Sequence, residues 1–183
     1  MRKLIGSINM SLDGYCDHNG MMADEELHQF FSDMLLEAGV LLYGRITYQL
    51  MEYWKTVLEH PTGNKEMDEF AKIIDKVPKI VFSRSLKSTD WHSAVLAEES
   101  LEEEVLKLKS SPGKNIFVGS PGLIASLTDK GLIDEYRICI HPVIMGKGLQ
   151  LFRDLHKKTI LKLIKTKTLK SGVMVVYYKN NTL

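Results

Sequence analysis

A chain of 183 residues, 44% of them hydrophobic and 26% charged, has the length and composition of a single globular domain, 1–183, with a sizeable core. A formal charge of +1 gives no basic footprint for nucleic acid. No apolar stretch nears the ~20 residues that cross a bilayer, and Ser7, Asn9 and Asp13 interrupt any secretory core, so the cytoplasm is the expected compartment. The two cysteines, Cys16 and Cys139, have no metal-ligand spacing, and neither a metal nor a required disulfide is expected.

Lys3 to Met10 reads as a first strand that ends near Ser11-Leu12-Asp13-Gly14, and residues 16–22 as a polar loop. Asp24 fits the cap of a helix whose apolar residues Leu27, Phe30, Phe31, Met34 and Leu35 share one face, with Gly39 at its end. Val40-Leu41-Leu42-Tyr43 is then a buried strand, Gly44 a tight turn, and Arg45-Ile46-Thr47-Tyr48 the first turn of a helix running to about Trp54. A loop over 59–65 and a short helix over 67–74 follow. Pro78 to Phe82 is a third strand closed by Ser83-Arg84-Ser85, and 93–96 a short strand. Ser100 with Glu103 forms a capping box ahead of a helix that buries Leu101, Val105 and Leu108.

Asn115 to Val118 is a strand closed by Gly119. Ser120 fits an N-cap and Pro121 the first helical position; Leu123, Ile124 and Leu127 supply the stripe, and Gly131 lies just past the end. Glu135 to Ile140 is a further strand. Residues 157–167 and 173–179 read as an antiparallel pair joined through 168–172, the lysines of 157–170 forming a solvated face and 173–178 apolar on both alternating sets. The order predicts an α/β fold of three layers, α/β/α, around a mixed central sheet that is parallel first and antiparallel at its C-terminal edge, with helices on both faces.

In such a sheet, ligands bind beyond the carboxyl ends of the strands. The Gly44 turn aims free N–H groups and a helix dipole at one point suited to phosphate, with Arg45 adding fixed charge. The Gly119-Ser120-Pro121-Gly122 turn has the same form, and capping and phosphate binding there use the same N–H groups. Ser83-Arg84 is a solvated strand end or an anion contact. Asp13 is a turn aspartate or a polar anchor and proton donor; His28 is a helix histidine or a catalytic candidate. Tyr48 and Trp54 pack, and Cys139 is core.

The chain resembles dihydrofolate-reductase-like domains, and more narrowly the C-terminal reductase domain of the bifunctional deaminase-reductase of riboflavin synthesis. The resemblance rests on Ser11-Leu12-Asp13-Gly14, Gly44-Arg45-Ile46-Thr47-Tyr48, Val81-Phe82-Ser83-Arg84, Asn115-Ile116-Phe117-Val118-Gly119-Ser120, Gly131-Leu132-Ile133-Asp134-Glu135 and Pro142-Val143-Ile144-Met145-Gly146-Lys147-Gly148, in that order. It implies NADPH as cofactor. Gly44, Arg45 and Thr47 would meet its phosphates; Gly119, Ser120, Gly122 and Leu123 would hold the pyrophosphate; Ser83 and Arg84 would take the 2′-phosphate. The charge argument agrees, because a phosphate monoester favours an arginine fork and a hydroxyl.

The implied activity is NADPH-dependent reduction of a small heterocycle, resembling 5-amino-6-(5-phosphoribosylamino)uracil reductase, with Asp13 and His28 as candidate catalytic residues. Lys147 is a candidate contact for a substrate phosphate. The deaminase's zinc signature is absent from the sequence. Spacing back from Gly44 puts His28 near the acidic residue with which true dihydrofolate reductases hold their pterin, which counts against folate reduction, although Glu25 and Glu26 lie close by. A dihydrofolate-reductase-type enzyme and a non-catalytic nucleotide-binding module are the competing readings. A homodimer is expected, covering the C-terminal strands.

Overall fold

A computed structural model describes residues 1–17, 21 and 23–181; of the polar loop expected over 16–22, His18, Asn19, Gly20 and Met22 lie outside the described residues. The elements in chain order are β1 (Leu4–Ser11), α1 (Glu25–Leu36), β2 (Ala38–Gly44), α2 (Arg45–Met51), α3 (Tyr53–Glu59), α4 (Lys65–Lys76), β3 (Lys79–Phe82), β4 (Ala94–Leu96), α5 (Leu101–Ser110), β5 (Asn115–Val118), α6 (Pro121–Asp129), β6 (Glu135–His141), β7 (Leu161–Thr168) and β8 (Met174–Asn180). The strands form one eight-stranded sheet in the order β4-β3-β2-β5-β1-β6-β8-β7. Backbone contacts group the chain into two compact units, Met1–Arg2 with Ala23–Phe117 and Lys3–Met22 with Val118–Leu183.

In the first unit, the expected caps form. The Asp24 carboxylate accepts the Leu27 N–H at 2.8 Å, and Ser100 and Glu103 close a reciprocal capping box. Asn64 caps α4 through the Met67 N–H at 2.9 Å, which starts this helix two residues before the apolar pattern does. Gly39 does not end α1. Glu37 is the C-cap, and Gly39 lies inside β2, where an added Cβ would stand 2.8 Å from Arg2 Nη2 and 3.0 Å from the Lys114 carbonyl. Glycine is needed there for space, since Arg2 crosses it to bond the Lys114 carbonyl at 2.5 Å. The helix expected to stop near Trp54 is two helices that meet at Glu52 and run on to Glu59.

β2 pairs parallel with β3, and β3 with β4. Leu42, Val81, Ile74, Val105 and Ile116 are fully or almost fully buried around them. Lys79 is buried as well. Its ammonium donates to the carbonyls of Ile74 (2.6 Å) and Val77 (2.8 Å) and to Ser93 Oγ (2.8 Å), and sits 4.0 Å from the Trp91 ring centre. It thereby closes the carbonyl end of α4, which would otherwise be left unpaired.

In the second unit, β1 runs parallel to β6, and β6 and β7 each pair antiparallel with β8. Val175, Val176 and Tyr177 are successive and all buried, as a strand covered on both faces requires. Gly131 has φ +69° just beyond α6, where its left-handed backbone ends the helix. β7 begins at Leu161 rather than near 157, and nearly all of it is exposed on both faces. Its register slips between Leu163 and Lys165. Without that bulge, alternation would put Lys165 on the side of Leu163. With it, Lys162, Lys165 and Lys167 lie opposite Lys179, Tyr177 and Val175, while Leu161, Leu163, Thr166 and Thr168 share the other face.

Candidate functional site

The first unit presents two turns at one rim. Gly44 is level with Phe82 in the parallel β2–β3 register, so α2 and the Ser83–Arg84 turn leave adjacent strand ends. Gly44 has φ −78° and ψ 163°, open to any residue, so what glycine contributes is the missing side chain. Arg45 follows as the first residue of α2; it is exposed, and its Nη1 donates to Gln49 Oε1 at 3.1 Å. Thr47 is half-buried and Tyr48 fully buried. On the neighbouring strand end, the Ser83 hydroxyl oxygen accepts the N–H groups of Ser85 (3.2 Å) and Leu86 (2.9 Å), which leaves its own proton to donate. Arg84 is exposed. Neither Arg45 nor Arg84 meets a carboxylate among the described residues, so both guanidinium groups are available to an anion.

The second unit carries the other glycine turn. β5 ends at Val118, and Ser120, only 4% exposed, is the N-cap of α6 without a side-chain cap bond. Pro121 opens the helix. Gly122 is exposed, and a Cβ placed there would meet nothing within 4 Å, so a bound group has room at the first turn; Leu123 is half-buried. A helix start with room above it and no side-chain cap is an anion-compatible arrangement.

Asp13, also in this unit, is fully engaged. Its carboxylate accepts the Ser11 hydroxyl (2.7 Å) and the backbone N–H groups of Met145 (3.1 Å) and Gly146 (2.7 Å). These bonds, the Ser11 hydroxyl foremost, hold its pKa down at about 2. Asp17 repeats the device on the Leu149 N–H at 2.5 Å, and the Cys16 N–H bonds the Leu149 carbonyl at 2.8 Å. The segment after β1 is thus tied to the segment after β6. His28 lies on α1 in the first unit, its ring edge-on to Trp54 (5.9 Å) and Phe70 (6.3 Å). Burial pushes its pKa down, so the imidazole is held neutral.

Two pairings escaped the sequence reading. His141 is 2% exposed at the end of β6 and its Nε2 lies 3.0 Å from Asn9 Oδ1. The only local signal was a histidine before proline at a strand end. Tyr48, expected to pack, also donates its hydroxyl to Asp90 Oδ1 at 3.2 Å. That link crosses 42 residues, and no local pattern announces it.

The family model for the RibD C-terminal domain matches residues 2–175. The chain belongs to the RibD C-terminal domain family. It is 34% identical over 184 residues to YyaP of Bacillus subtilis (strain 168), itself uncharacterized, covering 98% of this chain and 96% of that one. Among solved structures, a protein of Shewanella sp. PV-4 named for riboflavin biosynthesis superimposes with a TM-score of 0.75 at 18% identity, over 98% of this chain and 99% of that one. Dihydrofolate reductase from Enterococcus faecalis, complexed with NADP(H), gives 0.67 at 13% identity over 98% and 97%. The deaminase/5-amino-6-(5-phosphoribosylamino)uracil reductase of Thermotoga maritima gives 0.66 at 16% identity, over 98% of this chain and 56% of that one.

At those identities the structural likenesses carry the fold, which is dihydrofolate-reductase-like with antiparallel strands at the C-terminal edge. Among the described residues there is no cluster of three metal-ligating side chains and no helix long and apolar enough to cross a membrane.

Proposed function

We propose that this RibD-family domain is an NADPH-dependent reductase of a small heterocyclic substrate, akin to 5-amino-6-(5-phosphoribosylamino)uracil reduction. The observation that carries the reading is the pair of arginines that meet no carboxylate among the described residues, Arg45 and Arg84, on turns that leave the level strand ends Gly44 and Phe82. A dianionic 2′-phosphate suits Arg84 with the Ser83 hydroxyl proton, and the remaining phosphates suit Arg45, Thr47 and the Gly44 turn. Gly119, Ser120, Gly122 and Leu123 are assigned to the pyrophosphate on the open first turn of α6.

When bound, the reduced nicotinamide supplies a hydride to a C=N or C=O carbon of the substrate; the chain supplies binding and orientation. Asp13, with three donors on its carboxylate, is an anchor for the 145–146 turn rather than a store of a proton. Water is then the proton source, with His28 able to supply a proton only in its protonated form, which burial disfavours. His28 in place of an acid argues against dihydrofolate as substrate. Because neither candidate acid is poised, a non-catalytic NADPH-binding module is the second reading. A homodimer through the exposed β7 edge, where Leu163 is 51% and Ile164 48% exposed, completes the proposal.

Titration of NADPH and NADH fluorescence tests the cofactor. Tight NADPH binding that weakens on Arg84→Ala, with NADH little affected, is the expected outcome; equal loss of both, or no binding, removes the assignment. Oxidation of NADPH by the ribosylaminopyrimidine separates enzyme from binding module, and oxidation by dihydrofolate would favour the folate-type enzyme.

A further inference from the structure

We propose that Tyr48 and Asp90 form a latch that positions the Ser83–Arg84 turn against α2 and so sets preference for a phosphorylated over an unphosphorylated adenine ribose. The inference rests on the cofactor reading above and adds two positioning residues to it. The segment 83–93 joins the parallel strands β3 and β4 without a helix of its own. Parallel crossovers usually run through a helix that packs them in place. Here side chains must do that.

Each end of the segment has its own tie. Ser83 closes a turn on Ser85 and Leu86, which fixes the turn's shape but not its place. Thr89 Oγ1 donates to the Ala94 carbonyl at 2.7 Å, and the buried Trp91 donates from its indole to Asp75 Oδ1 at 2.7 Å. The tie back to α2 is Asp90. Its Oδ1 accepts the Tyr48 hydroxyl at 3.2 Å, and its Oδ2 lies 3.1 Å from Lys55 Nζ on α3. Lys55 also reaches Glu52 Oε1, at the α2–α3 junction, at 3.7 Å.

Tyr48 is 2% exposed, so its ring is held in the core and its hydroxyl is a fixed point for Asp90 to bond. It stands one residue beyond Thr47 on the helix that begins with Arg45. The hydroxyl therefore links the helix bearing one candidate phosphate arginine to the segment bearing the other. A guanidinium fork is useful to a phosphate monoester only when its aim is held. Loosening the segment should cost the ligand only the group that Arg84 meets. NADPH carries that phosphate and NADH does not. A merely structural tie would lower stability and affect both dinucleotides alike.

Tyr48→Phe removes one hydroxyl and keeps the buried ring. Asp90→Ala is the companion, since the Asp90 side chain is 75% exposed and its loss leaves no hole in the core. Amide hydrogen exchange reads the latch without any cofactor; fluorescence titration with NADPH and with NADH reads its consequence. The expected result is faster exchange over 84–90 with β2 and α4 unchanged, and an NADPH-to-NADH affinity ratio lowered about tenfold in both variants. Unchanged exchange in both variants overturns the latch. Faster exchange with an unchanged ratio overturns its role in selectivity. Wild-type protein that binds neither dinucleotide overturns the cofactor reading and the selectivity claim with it, whatever the exchange shows.

Discussion

Gly44 and Phe82 stand opposite one another in a parallel ladder, and from these two positions the chain turns into its two exposed arginine-bearing segments. Parallel neighbours end on the same side, so the register places Arg45 and Arg84 at one rim by backbone geometry alone. Arg84→Ala is expected to weaken NADPH binding by roughly ten- to a hundredfold, the loss of one or two charged hydrogen bonds at ~1.5–3 kcal/mol, with NADH changed little. Arg45→Ala is expected to weaken both dinucleotides, since the phosphates assigned to it are common to them. Fluorescence titration checks both, and identical effects of the two substitutions would contradict the division of labour.

Asp13 leads to a pH prediction. Its folded pKa, about 2, lies below the ordinary 3.8, so folding favours the carboxylate. The stability this provides is present above the ordinary value and is lost as pH falls through about 2. Asp13→Asn replaces one acceptor oxygen with a donor facing the Met145 and Gly146 N–H groups. Urea unfolding should show wild type ahead of the variant at pH 6 and the two converging toward pH 2. A reductase activity should show no limb titrating with Asp13 between pH 4 and 9. A limb abolished by the substitution would return the aspartate to the role of acid.

Much of this arrangement follows from local chemistry. Asp24, Ser100 with Glu103, Pro121 and Gly131 mark helix ends through groups within a few residues of each end, and all four do so in the fold. Gly39 misleads for the opposite reason: glycine after a helix suggests a stop, but here it makes room for Arg2 and Lys114, which are distant in sequence. The break at Glu52 leaves no trace because the apolar pattern continues through it. Of the candidate site, the Gly44 and Gly119 turns and the strand-end positions of Arg45 and Arg84 could be read from the chain. The Tyr48–Asp90 and Asn9–His141 pairs could not, since each exists only once separate segments are brought together.

Lys79 is a second titration test. Burial pulls its pKa down to about 7 from the ordinary 10.5; in the charged form the ammonium donates to four acceptors, the carbonyls of Ile74, Asp75 and Val77 and Ser93 Oγ, beside the Trp91 ring. Lys79→Met leaves the Ile74 and Val77 carbonyls unpaired in the interior and should cost about 3 kcal/mol. Between pH 7 and 10.5 the unfolded chain binds a proton that the folded chain has released. Wild-type stability should therefore rise with pH in that window relative to the variant, the gap widening by up to ~1.4 kcal/mol per pH unit. Chemical denaturation at pH 7, 8 and 9 reads it; a constant gap would mean that the carbonyls and the indole keep the ammonium charged throughout.

The β7 edge gives the last prediction. A long exposed edge strand invites pairing or packing with another chain. The lysines along one face, Lys162, Lys165 and Lys167, oppose pairing with a like-charged copy across that face, whereas Leu163 and the 43%-exposed Met174 offer an apolar face on the other side. A dimer packed through the second face accounts for both features, and the bulge at Ile164 is what keeps them apart. Light scattering should report twice 20.8 kDa for wild type and 20.8 kDa for Leu163→Glu, with unchanged far-ultraviolet circular dichroism. Lys165→Glu, on the opposite face, should leave the dimer intact. A wild type that scatters as a 20.8 kDa species would leave these apolar residues simply solvated, and a dimer lost equally on Lys165→Glu would move the contact to the lysine face.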